Sequence, residues 1–214
     1  MHHPRSTVDD DEPPGAADAL ALIRAQQAGT AARLGPRSGT FLLVWGAAWV
    51  LTGALSFASA VGGLPAAAAG WGTLGVVAVG LAASTVVGLR SGRGVSGPST
   101  RRTLLYALTW PAVMVGLVLL VVGLATSADL PPDVLGLLVP ALFALTVGAL
   151  YAVSGAIWTS LPQFLLGLWV VAVGVASTFA GVPANALVLG IGVGGALLLL
   201  GVRQTVRAPR SGGS

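Results

Sequence analysis

Six long apolar stretches, separated by short breaks rich in Gly, Pro or Arg, set the pattern of this chain. They cover about residues 40–60, 66–89, 103–125, 134–153, 161–180 and 183–202. Each is close to the roughly 20 residues a helix needs to cross about 30 Å of hydrocarbon. The apolar region from Val134 to Ala180 is too long for one crossing and divides near Ser154 to Ser160, a break that carries no charge. Pro162 and Pro183 suit the first turns of the last two helices, where a missing N–H is harmless. The pattern predicts an all-α fold, a polytopic membrane protein of six transmembrane helices preceded by a short amphipathic cytosolic helix.

Charge then sets the topology. All eleven basic residues are arginine. Arg5, Arg24, Arg33 and Arg37 precede the first stretch, Arg90, Arg93, Arg101 and Arg102 crowd one connection, and Arg203, Arg207 and Arg210 follow the last stretch. The breaks Val61–Pro65, Ser127–Asp133 and Gly181–Pro183 carry none. Six spans place every arginine on one side, whereas five or seven would split them. By the positive-inside rule, both termini are expected in the cytoplasm and the protein in the plasma membrane.

Outside the spans, residues 1–15 are acidic and rich in Pro and Gly, and are expected to form a disordered tail. They contain no signal-type apolar core, so the first span is expected to direct insertion. From 16 to 35, Ala16, Leu20, Ile23, Ala31 and Leu34 share a helical face interrupted by Gln27, with Asp18 in the first turn. This reads equally as a helix lying on the membrane or as a solvated lead-in, stopped in either case by Gly35-Pro36. The membrane domain is expected over 40–203, and a basic flexible tail over 204–214.

Composition excludes much. The chain is 55% hydrophobic and only 8% charged, too few charges to build a water-facing surface for 214 residues. The mean hydropathy is +0.87. The net charge of +4 points to orientation and to the lipid bilayer as partner, not to nucleic acid. Without cysteine there is no disulfide and no thiolate chemistry. The interiors of the spans hold no Asp, Glu, Lys, Arg or His, the groups that proton relays and ion-coupled pumps place there. His2 and His3 stand alone in the tail, so no metal, no cofactor and no catalytic base is expected.

Three G-x-G-x-x-G matches begin at Gly70, Gly92 and Gly190. Each lacks the strand–turn–helix setting of a dinucleotide site, and 31 glycines make chance matches ordinary. Packing explains the glycines better. Gly46 and Gly53, Gly116 and Gly123, and Gly167, Gly174 and Gly181 recur every seven residues, and Gly190 with Gly194 makes a small-xxx-small pair. Such faces let helix backbones approach closely, within the bundle or in a homo-oligomer.

Pro111 and Pro140 should kink the third and fourth spans, and with Trp110 are candidates to line a cavity. Tyr106, Tyr151 and Trp158 are placed near the cytoplasmic interface and Trp71 near the outer one, with Trp45, Trp49 and Trp169 deeper. Gln163 and Asn185, at span ends, are expected to face water. The first and last hairpins share Phe-Leu-Leu and Trp patterns before a Leu-Pro or Val-Pro turn, which chance within a small alphabet explains better than duplication does.

The helix segment Ala21-Leu22-Ile23-Arg24-Ala25-Gln26-Gln27 and the span segment Val44-Trp45-Gly46-Ala47-Ala48-Trp49 resemble a group of uncharacterised six-span membrane proteins of actinobacteria, some labelled transporters or permease-like. The resemblance covers about the first quarter of the chain and brings no catalytic residue. Two functions follow as expectations. One is a non-enzymatic subunit or accessory of a membrane complex. The other is a small transporter or permease for a neutral or apolar solute.

Overall fold

In a computed structural model of the chain, which describes residues 15–91 and 98–207, every regular element is helical. In order they are α1 (Ala16–Ala60), α2 (Ala66–Ser91), α3 (Pro98–Ser127), α4 (Pro132–Ile157), α5 (Leu161–Ala180), α6 (Ala184–Leu189), a π-helical turn (Gly190–Gly194) and α7 (Gly195–Arg207). Six helical stretches are long and apolar enough to cross a membrane: Gly39–Ala60, Ala66–Val87, Leu104–Ser127, Pro132–Ile157, Leu161–Ala180 and Ala184–Val206. The last contains α6, the π turn and α7, and is called the sixth span below.

The expected stop at Gly35-Pro36 is absent, because α1 continues through it as one helix of 45 residues. A proline removes a single backbone hydrogen bond and bends a helix, and long helical flanks carry it across. Of the expected amphipathic face, Leu20 is exposed, while the side chains of Ala16, Ile23, Ala31 and Leu34 lie outside the described residues. So do residues 1–14 and 208–214 of the two expected tails. Helix α7 reaches Arg207, four residues past the expected end of the membrane domain. Its last turn is held by Thr205, whose hydroxyl donates to the Gly201 carbonyl at 3.0 Å.

Two antiparallel pairs form the centre. In the first, α1 lies against the sixth span. A Cβ on Gly53 would stand 2.6 Å from the Ala186 carbonyl and 2.9 Å from the Gly190 Cα. One on Gly46 would meet the Gly194 carbonyl at 3.0 Å, and one on Gly39 the Gly201 carbonyl at 3.0 Å. In the second pair, a Cβ on Gly167 would run into the Ala152 nitrogen, and one on Gly148 would meet the Gly167 carbonyl at 2.8 Å. Gly174 lies against Ala144, and Gly155 against Phe164. Between the pairs sits the core of Leu42, Ala144, Tyr151, Leu166, Val170, Val173, Leu189, Val193 and Leu197.

Helix α2 packs along α1, with Gly72 under Leu55 and Gly80 under the Trp45 ring. Helix α3 lies on α4 through an aromatic chain. Trp158 meets Tyr106 with ring centres 4.7 Å apart, Tyr106 meets Trp110 at 6.5 Å, and Trp110 meets Tyr151 at 5.6 Å. All three contacts are edge-on, the arrangement aromatic quadrupoles favour. Tyr151 is buried in the core.

The ends of α1 and α4 share one cap geometry. After α1, the Gly63 N–H bonds the Ala58 carbonyl and the Gly62 N–H the Ser59 carbonyl. After α4, the Ser160 N–H bonds the Gly155 carbonyl and the Thr159 N–H the Ala156 carbonyl. This Schellman arrangement needs one left-handed residue. Gly62 fills it in the first case (φ 78°), and Thr159 in the second (φ 50°). The extra helical turn that carries α4 to Ile157, beyond the expected end near Val153, closes into this cap.

Replacing Gly53 by Leu is expected to lower the unfolding free energy by about 1–3 kcal/mol or more through overpacking. The matching change at Gly116, whose Cβ would meet nothing within 4 Å, is expected to stay within about 0.5 kcal/mol. Thr159→Gly is expected to raise stability by about 1 kcal/mol by relieving the β-branched left-handed residue. Denaturation of the purified variants in mixed micelles measures all three.

Candidate functional site

Polar groups inside hydrocarbon need internal partners, because no water is there to take them. Most hydroxyls here turn back on their own helix. Thr85 bonds the Leu81 carbonyl, Thr109 that of Leu105, Thr146 that of Leu142 and Ser177 that of Gly174. This is the ordinary way for Ser and Thr to lie within a helix.

Four contacts between spans are of another kind. The Trp45 indole N–H donates to the Ser84 hydroxyl at 2.9 Å, and that hydroxyl donates to the Gly80 carbonyl at 2.7 Å, tying α1 to α2. The Tyr106 hydroxyl donates to the Leu150 carbonyl at 2.7 Å, tying α3 to α4. Gln163 donates to the hydroxyl of fully buried Ser154, closing the α4–α5 turn from within. The Trp169 indole N–H donates to the Gly192 carbonyl at 2.9 Å, tying α5 to the π turn. The widened backbone there packs against Val173, whose methyl would stand 2.7 Å from a Cβ on Gly192.

A fifth contact explains a proline. In α4, Pro140 has no N–H to give the Gly136 carbonyl four residues before it. Asn185 is only 3% exposed, and its side-chain amide donates to that same Gly136 carbonyl at 2.8 Å. The sixth span thus supplies the donor that α4 lacks. Asn185 and Gln163, both expected to face water, are instead internal ties. The signal that could have found the first is the spacing of Pro140 from Gly136, which marks a carbonyl in need of a partner.

Trp110, Pro111 and Pro140, proposed to line a cavity, line neither of the clefts described below. Trp110 is packed between Tyr106 and Tyr151, Pro111 is exposed, and Pro140 lies in the half-buried middle of α4. Two clefts among the described residues lie elsewhere. One lies between α1 and α2 beside Trp71, and the other along Leu198, Leu199, Val202, Arg203 and Val206.

The glycines divide. Gly46, Gly53, Gly190 and Gly194 meet at the crossing of α1 and the sixth span, and Gly167 and Gly174 face α4. Gly39, Gly148, Gly155 and Gly201, which the spacing argument passed over, stand at equally close approaches. Gly116 and Gly123 are exposed on α3 with nothing within 4 Å, so they hold no helix of this chain. Gly181 serves the α5–α6 turn with φ 71° and makes no packing contact. Among the described residues no strand accompanies the glycine-rich matches, and no three His, Asp or Glu side chains come together. The match beginning at Gly92 lies outside the described residues.

Comparison with known proteins gives no matching family model, no matching curated protein and no matching solved structure.

Asn185→Leu is expected to destabilise the protein by about 1–3 kcal/mol, since it leaves the Gly136 carbonyl without a donor. In a Pro140→Ala background the backbone can make that bond itself, so the loss should shrink to well under half. A double-mutant cycle read by denaturation measures the difference.

Proposed function

We propose that this integral membrane protein is a non-catalytic subunit or accessory of a complex in the cell membrane, with both termini in the cytoplasm. The observation that carries the proposal is the outer side of α3. Helix α3 faces α4 through Tyr106 and Trp110, and its Leu117 is buried. Its other side presents Val115, Gly116, Leu119, Leu120, Val122 and Gly123 to the surroundings. Two glycines seven residues apart stand there with no chain against them. Apolar tails give no hydrophobic force between helices, so a groove over small residues is what favours a second helix over lipid.

The orientation rests on the arginines. Arg90 and Arg101 lie at the same end of the bundle as Arg203, and that end is the one retained in the cytoplasm under the positive-inside rule. The transporter reading lacks a comparable support, because Trp110, Pro111 and Pro140 line neither cleft.

Affinity purification of the full chain in mild detergent is expected to retain a membrane partner, and Gly116→Leu with Gly123→Leu to release it. Both forms should run as folded, monodisperse material. A wild-type chain that purifies as a stable monomer with nothing bound would overturn the proposal. A reporter inserted between Ser91 and Pro98 is expected to be active only in its cytoplasm-dependent form.

A further inference from the structure

Between the last two turns of α1 and the first two turns of α2 lies an open surface cleft. Its walls are mainly apolar, with Gly70 and Leu74 among them, and exposed Trp71 borders it. Three hydroxyl-bearing residues, Ser56, Ser59 and Thr73, are among its lining. Elsewhere in the bundle the hydroxyls of Ser84, Thr85, Thr109, Thr146, Ser177 and Thr178 each bond a backbone carbonyl. Those of Ser56, Ser59 and Thr73 bond nothing among the described residues. Three residues with unused hydroxyls therefore line one mainly apolar cleft.

Depth and access narrow the occupant. At 1.5 Å per residue, Ser59 lies within about 2 Å of the end of α1, Ser56 about 6 Å from it, and Thr73 about 10 Å from the start of α2. The 22-residue crossing Gly39–Ala60 is about 33 Å long, little more than the hydrocarbon layer, so these hydroxyls span the boundary between acyl chains and headgroups. Exposed Trp71 suits the same level, where indole rings concentrate. No charged side chain lines the cleft, so it offers an ion no partner.

We propose that this cleft binds the ester region of a diacyl lipid. The hydroxyls of Ser56, Ser59 and Thr73 donate to the ester carbonyl oxygens, the acyl chains run along Gly70 and Leu74, and the headgroup stays outside in water. The site reads the linkage, because ester carbonyls are the acceptors at this depth. It does not read the headgroup, because nothing charged reaches it.

The test uses the full chain, delipidated in detergent and titrated with ester-linked and ether-linked phosphatidylethanolamine of matched chain length. Lipid retention is counted by native mass spectrometry. The ester form is expected to be retained about tenfold better, the effect of roughly one net hydrogen bond. Exchanging the headgroup for phosphatidylglycerol should leave that preference unchanged. Ser56→Ala with Ser59→Ala and Thr73→Val should abolish it, and Leu74→Trp, which fills the cleft and leaves the hydroxyls in place, should do so too. Equal retention of ester and ether forms would overturn the proposal. So would a preference that survives both variants, a preference that follows headgroup charge, or a protein dimer appearing in place of lipid adducts.

Discussion

Close contact between helix backbones over glycine is the interaction on which the rest of this bundle depends. Within a bilayer the hydrophobic effect does not draw helices together, so dispersion at short range must. Here it acts at two antiparallel crossings. Gly39, Gly46 and Gly53 of α1 face Gly190, Gly194 and Gly201 of the sixth span, and Gly148 and Gly155 of α4 face Gly167 and Phe164 of α5. Because the small residues recur every two turns, the contact runs along most of each helix and is not confined to one point. Helix α2 meets α1 with Gly72 and Gly80 under the side chains of Leu55 and Trp45, not against backbone, and by the tie from Trp45 to Ser84, and α3 meets α4 through its aromatic chain and the tie from Tyr106 to Leu150.

The close crossings also decide where irregular backbone can be tolerated. A proline in α4 and a π turn in the sixth span each disturb a run of helical hydrogen bonds, and each lies where a neighbouring helix brings a donor within reach. Asn185 serves Gly136, and Trp169 serves Gly192. A lipid-facing helix has no such help. These ties run through α4, α5 and the sixth span and link the two glycine pairs into one unit.

The number and position of the spans were legible from hydropathy, since a stretch of about 20 apolar residues has few other fates. The ends were less so. Helix α1 passes Gly35-Pro36, and α4 runs on to Ile157, because helix ends are set by caps and flanking turns more than by hydropathy. Glycine spacing marked helix faces without saying what meets them. Gly46 with Gly53 and Gly116 with Gly123 share one spacing, yet the first pair lies under the sixth span and the second faces outward. Asn185 looked like a water-facing residue because only tertiary structure brings it to the carbonyl freed by Pro140. The π turn left no mark in periodicity, since Gly and Val at 190–194 fit an α-helix as well.

That turn records a difference in length. A π segment is what one surplus residue leaves when a helix must keep its neighbours on both sides in register. Were the turn to close into a plain α-helix with every residue kept, everything beyond Gly194 would swing by about 100° and move on by about 1.5 Å. Gly201 would leave Gly39, and Arg203 would point a quarter-turn away from its present side. The seating of the C-terminal helix is thus fixed by a miscount of one.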